Sequence, residues 1–204
     1  MKNAHSYDTS ALRAAIAAER GELADLLDGL STEQWNSPSL CAGWRVREVA
    51  AHLSMGFRHR IPRIAVELVR SGGSLHRTTD RFARRDATAL TGAQLADALR
   101  DNAHHPWTPP VGGLAAALGH DVVHGLDITV ALGLDRRVPA ERLRPLLAGV
   151  TPRTLRFFGA RLDGVGLRAT DLDWSYPSGG RTVARPAQEL LLLVYGRRVP
   201  GVDI

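Results

Sequence analysis

Apolar residues recur at helical spacing over most of this chain, most densely from Gly112 to Gly133, GGLAAALGHDVVHGLDITVALG. On a helix of about 3.6 residues per turn, Leu114, Leu118, Val122 and Leu132 fall on one side, and Val123, Leu126 and Val130 on another. Both sides are apolar, so the spacing predicts a helix buried nearly all round. His120, His124 and Asp127 share the remaining strip, whose other positions, Gly113, Ala116, Ala117 and Ala131, are small. Polar groups therefore stand where burial is expensive. The two imidazoles are one turn apart, with Cβ atoms about 6 Å from each other, a spacing that lets both reach one metal ion. The same cluster is also explained by hydrogen bonding alone, with Asp127 accepting from one of the rings.

The remaining pattern predicts further helices. Thr9 or Ser10 supplies an N-cap for a helix over Ala11–Gly29, with Leu12, Ile16, Leu23, Leu27 and Leu30 at helical spacing and Gly21 interrupting without ending it. Ser31 followed by Gln34 predicts a capping box on one short turn, and Asn36, Ser37 and Pro38 break the chain after it. A second long helix is expected from Arg45 toward Ser71 on the stripe Val46, Val49, Ala50, Leu53 and Phe57, kinked at Pro62. His52 lies at the edge of that stripe, while His59 is two turns on, roughly 10 Å along the axis and too far to share an ion with it. Ser71 to Thr91 is polar, basic and marked by glycine, and is expected to be a surface connection. Gln94–Asn102 predicts a shorter helix, and His104 to Pro110 a stiff loop. Beyond Gly133 a helix is expected over Ala140–Arg161, with Pro152 as a point of interruption. Short segments at Val165–Thr170, Leu172–Tyr176 and Thr182–Val183 follow, separated by turns that include Pro177-Ser178-Gly179-Gly180, and a last helix opens at Pro186.

The resulting expectation is a mainly α protein, a four-helix bundle over residues 1–140, with a connecting helix and a small α+β unit over residues 141–204. At 204 residues, 44% hydrophobic and 23% charged, the chain has material for one good core and falls outside the disordered and fibrous classes. No apolar run reaches the length of a membrane span, and MKNAHSYDTS lacks the apolar centre of a signal peptide. A cytoplasmic enzyme or binding protein is expected, without a membrane partner. The single Cys41 excludes an internal disulfide framework and a CxxC pair. The net charge of +5 comes from 26 basic and 21 acidic residues, and the arginines are spread along the chain rather than gathered between aromatics. This argues against a nucleic-acid partner.

His52, His120 and His124 come from two elements that a four-helix bundle brings together. Three imidazoles leave a coordination position open on zinc, as in catalytic and unlike structural sites. The words around them add to this. LSTEQWNSPSLCAGWRVREVAAHL resembles the first motif of the mycothiol-dependent maleylpyruvate isomerase family, whose metal-binding domain belongs to the DinB-like superfamily. HDVVHGLDITVALG resembles its second motif, and GLRATDLDWSYPSGGRTVARPAQELLLLVYGR its C-terminal region, including the Gly-Arg that ends at Arg197. The resemblance implies a DinB-like four-helix bundle carrying a divalent metal, with zinc as the expected ion. His52 matches the first ligand and His124 the last. His120 stands where the mycothiol branch typically has Glu, as in other DinB-like proteins with three histidines, which changes the charge of the ligand set by one unit.

In the family a low-molecular-weight thiol is the cofactor. The resemblance therefore implies a mycothiol-like thiol and a small electrophilic substrate, brought together for isomerisation or S-transfer. Arg197 is expected to hold a substrate carboxylate, and Asp127 to orient His124 or His120 from behind. Trp44 and Cys41 are expected only to close the end of the bundle, with no catalytic role for Cys41. The alternative is a non-catalytic metal-binding or ligand-sensing protein that keeps the fold, since a fold does not carry its function with it.

Overall fold

A computed structural model describes residues 7–177 and 180–202. The turn expected at Ser178 and Gly179 and most of the N-terminal decapeptide lie outside the described residues. The chain divides into two compact units, Met1–Gly133 and Leu134–Ile204. The fold class is the expected one, a helical bundle and a small α+β unit, and among the described residues no helix is long and apolar enough to cross a membrane.

The first unit holds α1 (Thr9–Asp28), α2 (Thr32–Asn36), α3 (Val46–Leu53), α4 (Met55–Arg58), α5 (Ile61–Arg70), α6 (Leu75–Ala89), α7 (Gly92–Arg100) and α8 (Gly113–Thr129). Helix α1 packs on α7 and α8, and α3 on α6 and α8. Their common core is Leu23, Ala24 and Leu27 of α1, Val46, Val49, Ala50, Ala51 and Leu53 of α3, Ala87 of α6, Leu95, Ala96 and Leu99 of α7, and Ile128 of α8. The alanines let the helix backbones approach closely while the leucines fill the space between them. The capping box expected at Ser31 is present, with Gln34 Oε1 accepting from the Ser31 N–H at 2.8 Å and Ser31 Oγ from the Gln34 N–H at 3.3 Å. Thr91 and Gln94 repeat it at the start of α7.

Three expectations for this unit need correction. The cap of α1 is Asp8, whose carboxylate accepts from the Ser10 N–H at 3.1 Å, so the helix begins at Thr9 and not at Ala11. The long second helix is broken into α3, α4 and α5. His59 and Arg60 are extended, and Pro62 opens α5 instead of kinking a continuous helix, because it has no N–H to offer the carbonyl one turn back. The stretch Ser71–Thr91, expected as a surface connection, contains the fifteen-residue helix α6. Its buried stripe is Thr78, Phe82, Ala83, Asp86 and Ala87, which holds one large apolar residue and two polar ones, too little to show against a basic background.

Asp86 fixes α6 to the end of α4. Its Oδ2 lies 2.5 Å from His59 Nε2 and 3.0 Å from Arg58 Nη2, and Arg85 donates to Oδ1 at 3.2 Å. Arg58 also donates to the Ala51 carbonyl at 2.9 Å and to Ser54 Oγ at 2.8 Å, which satisfies the end of α3. The His59 ring lies on Phe82, with centroids 4.5 Å apart.

The second unit contains α9 (Ala140–Ala148), α10 (Pro152–Phe158), β1 (Gly166–Ala169), β2 (Ser175–Tyr176), β3 (Thr182–Arg185) and α11 (Ala187–Val194). The helix expected over Ala140–Arg161 is two helices, since Gly149 ends α9 and Pro152 takes the first position of α10. The sheet order is β2-β1-β3, with β1 antiparallel to β2 and parallel to β3. Helix α11 is apolar on almost every side and packs on β1 and α9, its start capped by Asp171 Oδ1 on the Ala187 N–H at 2.8 Å. Gly196 ends it at φ +71 with the Phe158 carbonyl where a Cβ would stand, so both backbone and space require glycine before Arg197.

Burial alone would raise the Asp86 carboxyl, but the hydrogen bond with His59 and the charges of Arg58 and Arg85 outweigh it and hold it below the ordinary carboxylate range. A carboxyl depressed in the folded state contributes stability that is present above its unfolded pKa and is lost as pH falls through the folded value. Unfolding measured against pH should therefore show a loss below about pH 4 in the parent. Asp86→Asn should be less stable at neutral pH and flatter on that acid limb; an unchanged limb would show that Asp86 is not held in this way.

Candidate metal centre

Within the first unit, His52 sits in the last turn of α3, beside its buried stripe. Helix α3 is anchored at its start by Glu48, which accepts from the Arg45 N–H at 2.8 Å and pairs with the Arg45 guanidinium at 2.6 Å. Burial alone would raise the Glu48 carboxyl, but the contacts with Arg45 outweigh it and hold it low. Trp44 lies against His52, with ring centroids 5.2 Å apart, and is itself fixed to α6 by its Nε1 donating to Asp80 Oδ1 at 2.7 Å.

His120 and His124 project from α8 one turn apart toward His52. The three ring centroids form an equilateral triangle of side 4.9 Å, and one nitrogen from each ring lies within 4.8 Å of the other two. The His120 and His124 side chains are 13% and 14% exposed, so the cluster is accessible and not sealed.

The carboxylates behind the rings decide which nitrogens face inward. His120 Nδ1 is 2.8 Å from Asp121 Oδ1, and His124 Nδ1 is 2.9 Å from Asp127 Oδ2. A carboxylate only accepts, so in both rings Nδ1 carries a proton and Nε2 is the nitrogen able to offer a lone pair. His120 Nε2 lies 3.2 Å from His52 Nε2, a separation that needs a proton or a cation between them. An ion bound at about 2.0–2.1 Å with tetrahedral angles would hold its nitrogen ligands roughly 3.3–3.4 Å apart. The donor set and the carboxylate behind two of its members fit a divalent transition ion such as zinc.

Sequence reasoning missed several neighbours. Asp121 is buried and forms an ion pair at 2.8 Å with Arg20 Nε of α1, and Arg20 is fully buried as well. Arg20 occupies a stripe position between Ile16 and Leu23, and an arginine in an apolar stripe together with an aspartate inside an apolar helix is a signal that could have paired them. Cys41, expected only to close the bundle end, stands at the site. Its Sγ is 3.0 Å from Asp127 Oδ2 and 3.6 Å from His124 Nδ1, and the Leu40 N–H donates to the Asp127 carbonyl at 3.0 Å. Cys41, His124 and Asp127 form a second set of donors adjoining the first. Trp107, from the loop before α8, places its ring 5.3 Å from that of His120. Arg197 belongs to the second unit, where it follows α11 half-buried and donates to the Tyr195 carbonyl at 3.0 Å. The neighbouring Tyr195 hydroxyl is pushed up to about 12 by its burial, against the opposing charge of Arg197.

A helical bundle with histidines converging from its third and eighth helices defines a class, and the chain belongs to it: the mycothiol maleylpyruvate isomerase N-terminal domain family, whose model matches residues 16–129. Two solved structures share the fold over the whole length. One is a mycothiol-dependent maleylpyruvate isomerase, with a TM-score of 0.66, and the other a mycothiol-dependent maleylpyruvate isomerase H52A mutant, with a TM-score of 0.57. Each is 15% identical, and each match covers 100% of this chain and 95% of that one. No curated protein sequence matches the chain.

Trp107 lies so close over Gly56 that a Cβ there would collide with its indole ring. Gly56→Ala should therefore displace Trp107 from beside His120, lower stability by about 1–3 kcal/mol and change the tryptophan emission. Denaturant melts followed by fluorescence check this, and a variant matching the parent in both would show that Gly56 does not seat the ring.

Proposed function

We propose that the protein is a divalent-metal-dependent enzyme that uses a low-molecular-weight, mycothiol-like thiol to isomerise a small electrophile or transfer sulfur to it. The observation that carries this reading is the convergence of His52, His120 and His124 in a chain of this family. A bound divalent ion would supply a positive centre that favours thiolate over thiol near neutral pH.

The residues' own contributions follow from their contacts. The Nε2 atoms of His52, His120 and His124 are the ligands in this reading. Asp127 and Asp121 hold His124 and His120 in the tautomer that presents those atoms. Trp44 and Trp107 wall the cluster with apolar surface and limit water beside it. Arg197 is assigned to a substrate carboxylate on the Gly-Arg pattern alone, with Gly196 fixing the turn that precedes it. Isomerisation and S-transfer share the need for an ionised thiol and differ in whether sulfur remains on the substrate, so the histidine cluster serves either.

A second reading is supported by one residue. With His120 where the mycothiol branch typically has Glu, the cluster is three imidazoles and no carboxylate. A metal-binding or ligand-sensing protein without turnover would fit that change.

Protein purified without a histidine tag should carry about one zinc or similar ion per chain, and removing it should lower the melting temperature by roughly 5–10 °C, as expected for loss of a ligand present at a hundred times its dissociation constant. His52→Ala should abolish the metal-dependent shift and leave apo stability nearly unchanged; an equal shift in both proteins would remove His52 from the ligand set. Turnover of cis-enoic acids or halogenated electrophiles with added thiols, lost in His124→Ala, supports the enzyme. Metal and ligand binding without turnover supports the sensor, and a parent that gains no ion sinks both.

A further inference from the structure

We propose that Arg20 is a positioning residue for His120, acting through Asp121, and so helps set the metal affinity of the three-histidine cluster; the second clause rests on the metal reading above. Arg20 has no exposed surface, and Asp121 has none either. The guanidinium donates through Nε to Asp121 Oδ2 at 2.8 Å, while the other oxygen of the same carboxylate, Oδ1, takes the His120 Nδ1 at 2.8 Å. One carboxylate thus joins a helix α1 cation to a helix α8 imidazole, with one oxygen for each.

Arg20 is itself held in a fixed pose. Its Nη1 donates to the His105 carbonyl at 2.9 Å, with the Asn102 and Ala103 carbonyls at 3.3 and 3.4 Å, and its guanidinium lies 5.3 Å from the centre of the Phe57 ring. Its Nη2 is buried and meets no acceptor among the described residues. A buried guanidinium with one nitrogen left unsatisfied is a poor contributor to stability beside an apolar side chain of the same volume. It does fix the orientation of the carboxylate whose other oxygen meets His120, and because a carboxylate oxygen only accepts, that contact keeps a proton of His120 on Nδ1 and turns Nε2 toward the cluster.

The first unit contains its own control. Arg58, Asp86 and His59 make a second arginine, aspartate and histidine group around a buried carboxylate, and among the described residues no second or third imidazole converges on it. If such groups serve only to tie helices together, Arg20→Met and Arg58→Met should behave alike. If Arg20 positions a ligand, they should differ in what happens at the cluster.

The test uses the full chain in the parent, Arg20→Met, Asp121→Asn and Arg58→Met forms, with two readouts. Nitrogen-15 NMR of the imidazoles in the metal-free protein should show the Nδ1–H form of His120 in the parent and Arg58→Met, and a mixture of tautomers in Arg20→Met and Asp121→Asn. Chelator competition with zinc, and the visible absorption of the cobalt(II)-loaded protein, should show an affinity 10–100-fold weaker and an altered spectrum in the same two variants only. An unchanged His120 tautomer and unchanged zinc affinity in both overturns the proposal. If Arg20→Met fails to fold, Asp121→Asn against Arg58→Met decides it by the same readouts. A parent that binds neither ion but shows the tautomer change retains the positioning role while the metal reading fails.

Discussion

Two fully buried carboxylates on one apolar helix constrain everything around them. Asp121 and Asp127 lie in α8 where an uncompensated negative charge would be expelled, so each has to be met by groups arriving from elsewhere. Asp121 is met by Arg20 of α1 and by His120, and Asp127 by His124 and by the thiol of Cys41. These requirements reach across the bundle. They fix the depth of α1 against α8, draw the loop around Cys41 over the end of α8, and aim two imidazoles at the one presented by α3.

The two carboxylates are met by different partners. Asp121 divides its oxygens between Arg20 Nε and His120 Nδ1, whereas a single oxygen of Asp127, Oδ2, meets both His124 Nδ1 and Cys41 Sγ. The two imidazoles of α8 are therefore backed by chemically distinct surroundings although they lie one turn apart on the same helix.

Local chemistry made much of this legible in the sequence. The capping box at Ser31, the apolar stripes of α1, α3 and α7, and the turn between His120 and His124 are all written within a few residues of one another. What stayed hidden depended on distance along the chain. Arg20 and Asp121 are 101 residues apart and Cys41 and Asp127 are 86 apart, so no neighbour in sequence names the partner, and the only hint is the placing of Arg20 and Asp121 among apolar positions. Helix α6 was hidden for a different reason: two of the five residues it buries are polar, and one of them, Asp86, meets Arg58 and His59 from a distant part of the chain. The break after Arg58 was marked by Pro62, but whether a proline bends a helix or begins a new one is settled by whether the residues before it have something better to do. Here Arg58 and His59 bind Asp86.

That break also separates what must be conserved in shape from what is free to change. Helix α3 and its short continuation end at Arg58, clasped to α6, and the following α5 buries none of its residues. The His52 side of the cluster is complete before Arg60 is reached. From there to the start of α6 the chain runs through α5, which rests on α6 with Glu67 paired to Arg81, so a change of length or composition in α5 would leave the three imidazoles where they stand. A surface helix of this kind can be remodelled around a fixed centre, whereas the residues that bind Asp86 cannot.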